Sequence, residues 1–399
     1  MTVKLAHELR NTYCLKFRMI ISKILDIIYP LTKYLLAKVL VPLIQVVAWF
    51  TTPSKPKKKN RVALLVSSRT NTVSLSFRCL IPELECRSIE VDYHSCNYAE
   101  LSFALKFRNI FYFFCRYKNA DFVFLDDTFL PISFSLKYRF LSNAYIVQLW
   151  HSCGLFKRTG LDICKSNLSL FLSKANYSNY DLVSVSSEDC RRVIAGFMGI
   201  NVANVKALGL SRTDSYFDYE NLDRIKGHFH TNYPAAKSSK VVVYAPTYRG
   251  QAFNVESSPI PLVSDIFSQL DDDYLPFIVP HPHEVIHKNG YQLECDISSI
   301  LHLVDVLVTD YSSLAMDYMI ANPKGKLILF VPDIKKYNRQ VGFYVDLNSI
   351  TDNVIYDTQG LLTAITESSE NYRFLKYKER YLNCCNGAST EQLLKHLDI

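Results

Sequence analysis

The hydrophobic pattern of this chain changes character near residue 60. Before that point, residues 19–50 are dense in Ile, Leu and Val and broken by Lys23, Asp26, Pro30, Lys33, Lys38 and Pro42. Ser22, Lys23, Asp26, Tyr29 and Lys33 fall on one helical stripe, and Ile20, Ile21, Ile24, Leu25 and Ile28 on the other, which predicts an amphipathic helix. The uninterrupted stretch 43–50 is far short of the roughly 20 residues a membrane span needs. A signal peptide fits poorly, because the basic region is long and no small-x-small cleavage site follows. The run Lys55-Pro56-Lys57-Lys58-Lys59 reads as a linker.

Beyond Asn60 the chain alternates short apolar runs with longer polar, helix-compatible stretches. Runs at 62–67, 122–125, 145–149 and 182–186 form one set, and 240–245, 276–279, 304–309 and 327–331 a second. They are rich in Val, Ile, Leu and Phe without strict alternation, as strands buried on both faces of a parallel sheet are. The polar stretch 218–239 separates the sets. The predicted organisation is an arm and linker over 1–58, a Rossmann-like domain over 59–220 and a second over 221–399, with a ligand cleft between the two α/β halves.

Charge sharpens this division. The formal net charge is +7. Residues 1–61 hold 12 Lys and Arg against two acids, a net of +10, whereas residues 62–399 hold 33 against 36, a net of −3. A mildly acidic body with a basic arm argues against a nucleic-acid binder and for an arm that meets something anionic. The inner surface of an anionic membrane suits it, each Lys or Arg contributing about 1 kcal/mol near such a surface. Packing on the body as a helical hairpin and crossing the bilayer are the alternatives. The 11 cysteines are scattered, with no CxxC spacing, which suits reduced thiols.

No GxGxxG, GxxxxGK[ST] or GxSxG occurs, which disfavours a dinucleotide dehydrogenase, a P-loop ATPase and an α/β-hydrolase. The candidate chemistry sits instead at predicted strand ends. After 304–309 come Asp310-Tyr311-Ser312-Ser313 and a helical segment, an arrangement that offers hydroxyls and free N–H groups to a phosphate. Capping by Ser312 or Ser313 is the plain alternative. Asp310 would repel a phosphate if it pointed inward and is expected to orient a hydroxyl or the loop. Thr247 and Arg249 follow the strand ending at Ala245, and Arg249 can fork two oxygens of a diphosphate. His151 and His281 each follow a strand directly, one in each half, where an imidazole can exchange protons in the cleft. His283 and His287 have i,i+4 spacing but no HExxH pattern, which leaves no metal site to predict.

In order, Trp150-His151, Gly209-x-x-Arg212-x-Asp214, Ala245-Pro246-Thr247-x-Arg249, His281-Pro282, Thr309-Asp310-Tyr311-Ser312-Ser313-x-x-x-Asp317 and Gly342-Phe343-Tyr344-x-Asp346 resemble the CDP-glycerol glycerophosphotransferase family, over roughly residues 140–395. The resemblance implies a GT-B-type fold at the cytoplasmic face of the membrane, held peripherally. It implies transfer of glycerol phosphate from CDP-glycerol to a hydroxyl of a lipid-linked glycan or polymer, with release of CMP and no cofactor. His151 resembles the general base, and His281 the residue near the diphosphate. Thr247, Arg249, Thr309, Ser312 and Ser313 would hold the diphosphate, with Asp317 orienting donors. Trp150, Arg212 and Asp214 would belong to the acceptor side or cleft. Three segments depart from the family pattern. Ser152-Cys153-Gly154 follows the first histidine on the acceptor side, Thr213 replaces an Asn, and Asn386 replaces an acid. CDP-ribitol as donor, a GT-B glycosyltransferase using a nucleotide sugar, and a non-catalytic membrane scaffold are the competing readings.

Overall fold

The computed structural model describes residues 28–53, 60–137, 141–247, 250–251, 254–255, 260–280, 291–368 and 371–399. Most of the predicted arm and linker, Arg249, His281, His283 and His287 lie outside the described residues. Two parallel sheets dominate. The first has strands β1 (Val62–Ser67), β2 (Glu90–Ser95), β3 (Phe122–Leu125), β4 (Tyr145–Gln148), β5 (Leu182–Ser184) and β6 (Val205–Lys206) in the order β2-β1-β3-β4-β5-β6. The second has β7 (Lys240–Ala245), β10 (Tyr274–Ile278), β11 (Val306–Thr309), β12 (Lys326–Phe330) and β13 (Asn353–Ile355) in the order β10-β7-β11-β12-β13. A short antiparallel hairpin, β8 (Gly250–Gln251) with β9 (Asn254–Val255), follows β7.

Both faces of each sheet are covered, which explains the unalternated apolar runs. Leu64, Val66, Val123, Leu125 and Ile146 pack into one core cluster, while Ala63, Leu65, Phe122, Phe124 and Val147 pack into the cluster on the opposite face. In the second sheet Val241, Val243 and Ala245 face one cluster, and Val242 and Tyr244 the other. The edge strand β2 was not among the predicted runs: Glu90-Val-Asp-Tyr-His-Ser is mostly half-buried and carries few apolar residues.

The helix Ile28–Thr51, α1, is one continuous element of 24 residues with a mean hydropathy of 1.7. It is long and apolar enough to cross a membrane by length and composition. This corrects the view of Pro30 and Pro42 as interruptions. Pro30 lies in the first turn, where its missing N–H costs nothing, and the helix continues through Pro42. One stripe of α1 docks on the first sheet through Val41 and Ala48, with Ala37 and Ile44 beside them. Gln45 reads the backbone of Leu136 twice: its Nε2 donates to the carbonyl at 3.1 Å, and its Oε1 accepts from the amide at 2.7 Å. Lys118 Nζ donates to the Trp49 and Thr52 carbonyls at 2.7 and 2.6 Å, which closes the C-terminal end of α1. The other stripe, with Leu36, Val39, Leu43, Val47 and Phe50, is exposed.

The end of the described chain returns to the first sheet. Leu393 and Leu394 of the helix Ser389–His396 join the cluster of Ala63 and Leu65. By packing, this helix therefore goes with the first sheet and not with the second half in which its sequence position places it.

Candidate active site

The carboxyl ends of β1, β3 and β4 form one rim. The register pairs Val66 with Leu125 and Leu125 with Gln148, so Ser67, Asp126, Asp127, Trp150 and His151 emerge side by side where the strands stop. Ligands of open parallel sheets gather at this edge. Fully buried Gln148 ties the ends of β3 and β4 together. Its Nε2 donates to the Asp127 carbonyl at 3.0 Å, and its Oε1 accepts from the Trp150 amide at 2.9 Å. Trp150 has φ 60°, a left-handed backbone that is costly for a bulky side chain and typical of functional turns. The turn swings His151 away from the strand direction, with its ring against the Trp150 indole at 4.4 Å between centroids.

His151 Nδ1 is buried and has no hydrogen-bond partner, and Asp127 Oδ1 lies 3.8 Å from it. The side chain as a whole is 39% exposed, so its accessible edge carries Nε2. Loss of hydration pushes the His151 pKa down to about 4. Asp127 opposes that shift, and Arg69, Arg212 and Lys157 reinforce it. A neutral imidazole with Nδ1 toward a carboxylate and Nε2 outward can accept a proton at neutral pH. Arg69 pairs with Asp127 in turn.

A cavity of about 450 Å³ opens in front of this rim, lined by Ser67, Arg69, Thr70, Thr72, Ser74, Arg78, Asp126, Asp127, His151, Arg212 and Asp296. Asp296 comes from the second half, so the cavity lies in the cleft. Asp126, Asp127, Arg69 and Ser67 were not singled out in the sequence, although they carry the signal used for His151: polar residues directly after an apolar strand.

Arg212 is the link between halves. It donates to the His151 carbonyl and pairs with Asp317 of the helix Leu314–Ala321. Asp317 is buried, its pKa raised by desolvation against the pull of Arg212, and Cys153 Sγ sits 3.6 Å from its Oδ1. Asp317 is thus engaged with Arg212, a donor that it orients. Asp214 accepts from the Ser389 and Thr390 amides at 3.0 and 2.7 Å and from the Thr390 hydroxyl at 2.7 Å. It caps the helix Ser389–His396 and does not line the cavity. Gly209, at φ 79°, brings its backbone so close to Cys384 and Ser389 that a Cβ would overlap both. Cys153 is buried in the second half's core, so the Ser152-Cys153-Gly154 turn faces the seam between halves, where Gly154 donates to Ser186 Oγ at 2.8 Å.

On the second sheet, Thr309 is fully buried and its hydroxyl donates to the Ala245 carbonyl at 2.6 Å. This corrects its expected contact with a ligand, because that hydroxyl ties β11 to β7. Asp310 accepts from the Thr247 amide at 2.8 Å and from the Tyr311 amide at 2.5 Å, which orients the two loops, the role expected for it. Ser312 and Ser313 are half-buried at the start of the helix Leu314–Ala321, and Ser313 makes no capping bond. The Phe156–Arg158 segment pairs with the Gly342–Tyr344 segment across the seam: the Arg158 amide donates to Gly342 at 2.9 Å, and the Tyr344 amide to Phe156 at 2.8 Å. Among the described residues no group of three or more His, Cys, Asp or Glu side chains is placed to hold a metal ion.

Comparison with known proteins adds the following. Residues 50–397 match the family model described as CDP-Glycerol:Poly(glycerophosphate) glycerophosphotransferase. A teichoic acid poly(ribitol-phosphate) polymerase of Bacillus spizizenii is 29% identical over 357 residues, which covers 86% of this chain and 56% of that protein. The teichoic acid ribitol-phosphate polymerase TarK of Staphylococcus aureus is 25% identical over 364 residues, 85% of this chain and 69% of that one. A teichoic acid glycerol-phosphate primase of Bacillus subtilis is 25% identical over 295 residues, 70% and 74% of the two chains. The chain thus spans a little over half the length of the first of these relatives. A solved structure of the wall teichoic acid polymerase TagF (H548A) superposes with a TM-score of 0.68 at 18% identity, covering 94% of this chain and 98% of that one, a likeness of fold.

Proposed function

The chain belongs to the CDP-glycerol:poly(glycerophosphate) glycerophosphotransferase family, and on that premise we propose that it transfers a polyol phosphate from CDP-glycerol or CDP-ribitol to a hydroxyl of a teichoic-acid-like or capsular polymer, releasing CMP. The observation that carries this reading is the neutral His151 at the mouth of a hydroxyl-lined cleft, backed by Asp127. The acceptor oxygen attacks the phosphorus that bears the polyol, and its proton passes to His151 Nε2. The bond from that phosphorus to the bridging oxygen breaks, and CMP departs with that oxygen and its electron pair. Asp127 steadies the imidazolium that forms, so the work is positioning and charge stabilisation.

The diphosphate of the donor belongs, in this reading, to the rim of the second sheet. Thr247, Ser312 and Ser313 lie there, and the helix Leu314–Ala321 directs its N-terminus to the same rim. Arg249 and His281 are assigned to the diphosphate and the leaving CMP from the sequence resemblance. Thr309, Asp317 and Asp214 hold the scaffold. Trp150 and Arg212 act by setting the position of His151.

The exposed stripe of α1 is assigned to the membrane, beside the basic residues of the arm. One stripe is already used against the first sheet, so the helix lies along the body with its free stripe toward lipid. In this reading the enzyme lies peripherally at the cytoplasmic face, next to a lipid-linked acceptor. CMP release from CDP-glycerol and CDP-ribitol, with product mass on a synthetic lipid-linked acceptor, tests the reaction. Growth by one or more polyol phosphate units is expected. No CMP from either donor, with turnover of a nucleotide sugar, would overturn it.

A further inference from the structure

The cavity before His151 has a mixed lining, and that mixture constrains what it holds. Phosphate would meet Asp126, Asp127 and Asp296 at close range. Of the three lining arginines, Arg69 is paired with Asp127 and Arg212 with Asp317, which leaves Arg78 alone against Asp126 and Asp296. Ser67, Thr70, Thr72 and Ser74 add hydroxyls that both give and accept hydrogen bonds. Among the buried polar atoms of the lining residues, Asp126 Oδ1 and Ser67 Oγ lack partners in hydrogen-bond geometry, as does His151 Nδ1, while Asp127 Oδ2 is met by Arg69. Ser67 is fully buried and Asp126 is 8% exposed. Buried polar atoms without partners are rare and call for a ligand or water that satisfies them. Desolvation raises the Asp126 pKa, and the Ser74 and Ser67 hydroxyls close to its carboxyl oppose the rise.

We propose that this cavity is the acceptor subsite and binds the neutral polyol at the end of the acceptor, with Asp126 and Ser67 reading the hydroxyl next to the one that attacks. The inference rests on the proposed transferase reading. Asp126 Oδ1 accepts from the neighbouring hydroxyl, and Ser67 Oγ bonds to that hydroxyl's oxygen. Both residues sit on the same rim as His151, so the hydroxyl they hold fixes its neighbour opposite Nε2. A site that hydrogen-bonds a substrate hydroxyl with buried groups rejects an analogue that lacks it, because those groups are then left unpaired.

The test uses the full chain with CDP-glycerol or CDP-ribitol and two soluble acceptors. One is a glycerol phosphate oligomer, and the other is the same oligomer ending in 1,3-propanediol, which lacks only the hydroxyl beside the attacking one. Wild-type kcat/KM should favour the glycerol end at least tenfold. Asp126→Asn and Ser67→Ala should raise the acceptor KM and shrink that preference to less than threefold, while the KM for the CDP donor changes less than twofold. Circular dichroism and the melting temperature check that each variant is folded, and Ser67→Ala, the milder change, serves if Asp126→Asn is unstable. Equal use of both acceptors by the wild type, or an undiminished preference in the folded variants, overturns the inference. Absence of CMP release by the wild type from either donor would instead overturn the transferase reading.

Discussion

Replacing Asp127 with Asn isolates what the carboxylate contributes behind His151. The pair is 3.8 Å apart, Asp127 is buried, and the imidazole is 39% exposed. At an effective dielectric of 20, attraction between an imidazolium and a carboxylate at that distance is about 4 kcal/mol. Exposure of the ring and the counter-charge of Arg69 reduce this by roughly half. About 2 kcal/mol of lost transition-state stabilisation corresponds to a fall of about 30-fold in kcat. The sign of the pH effect is fixed as well. Asp127 raises the His151 pKa, so Asp127→Asn moves the acidic limb of kcat/KM lower and not higher. The wild-type limb itself should lie near 4, well below the ordinary histidine value, with activity flat from pH 5.5 to 7.5. The assay is CMP release between pH 3 and 9 under subsaturating donor. Full activity in Asp127→Asn, or an acidic limb displaced upward, would refute the assignment of His151 as a base backed by Asp127.

Asp214→Ala should lower stability by about 2–4 kcal/mol, because two amides and a hydroxyl lose their acceptor, while kcat at low temperature is retained. Calorimetry beside turnover checks this, and the reverse pattern would return Asp214 to the cleft. His94 is buried against Tyr98 and Arg116, and burial followed by the Arg116 charge pushes its pKa down to about 4. Its contribution is present above pH 6.5 and lost as pH falls toward 4, a difference of about 3 kcal/mol. The melting temperature of His94→Phe should accordingly depend less steeply on pH than wild type across that window. Converting Val39, Leu43, Val47 and Phe50 to Gln should cut partition onto anionic vesicles at least tenfold without changing the melting temperature, and raising salt should weaken wild-type binding.

Eight of the eleven strands in the two parallel sheets were legible because their residues are apolar on two faces, a pattern that depends on near neighbours alone, whereas the short edge strands β6 and β13 were missed with β2. β2 was not legible, since an edge strand such as Glu90–Ser95 is held by backbone pairing to β1 and needs few apolar side chains. His151 was visible from its place after a strand. Asp127 was visible by the same rule but became a partner only through the register of β3 with β4. Thr309 and Asp317 have the chemistry of ligand-binding residues. Their hydroxyl and carboxylate are occupied by Ala245 and Arg212, which are distant in sequence. Asp214 belongs with them, since its partners lie 175 and 176 residues away.

The helix Ser389–His396 has a consequence for synthesis. Leu393 and Leu394 cover Ala63 and Leu65 of β1, a strand made more than three hundred residues earlier. While the ribosome is still building the second sheet, that face of the first sheet is covered only in part, by Phe77, Leu80 and Leu84, and leaves the remaining apolar surface open to the cell. The first sheet can begin to pair as it emerges, yet its core closes only after residues 389–396 have left the exit tunnel. Nascent chains halted before residue 386 should therefore engage hydrophobic-binding chaperones and resist release, whereas chains extended past residue 399 should not.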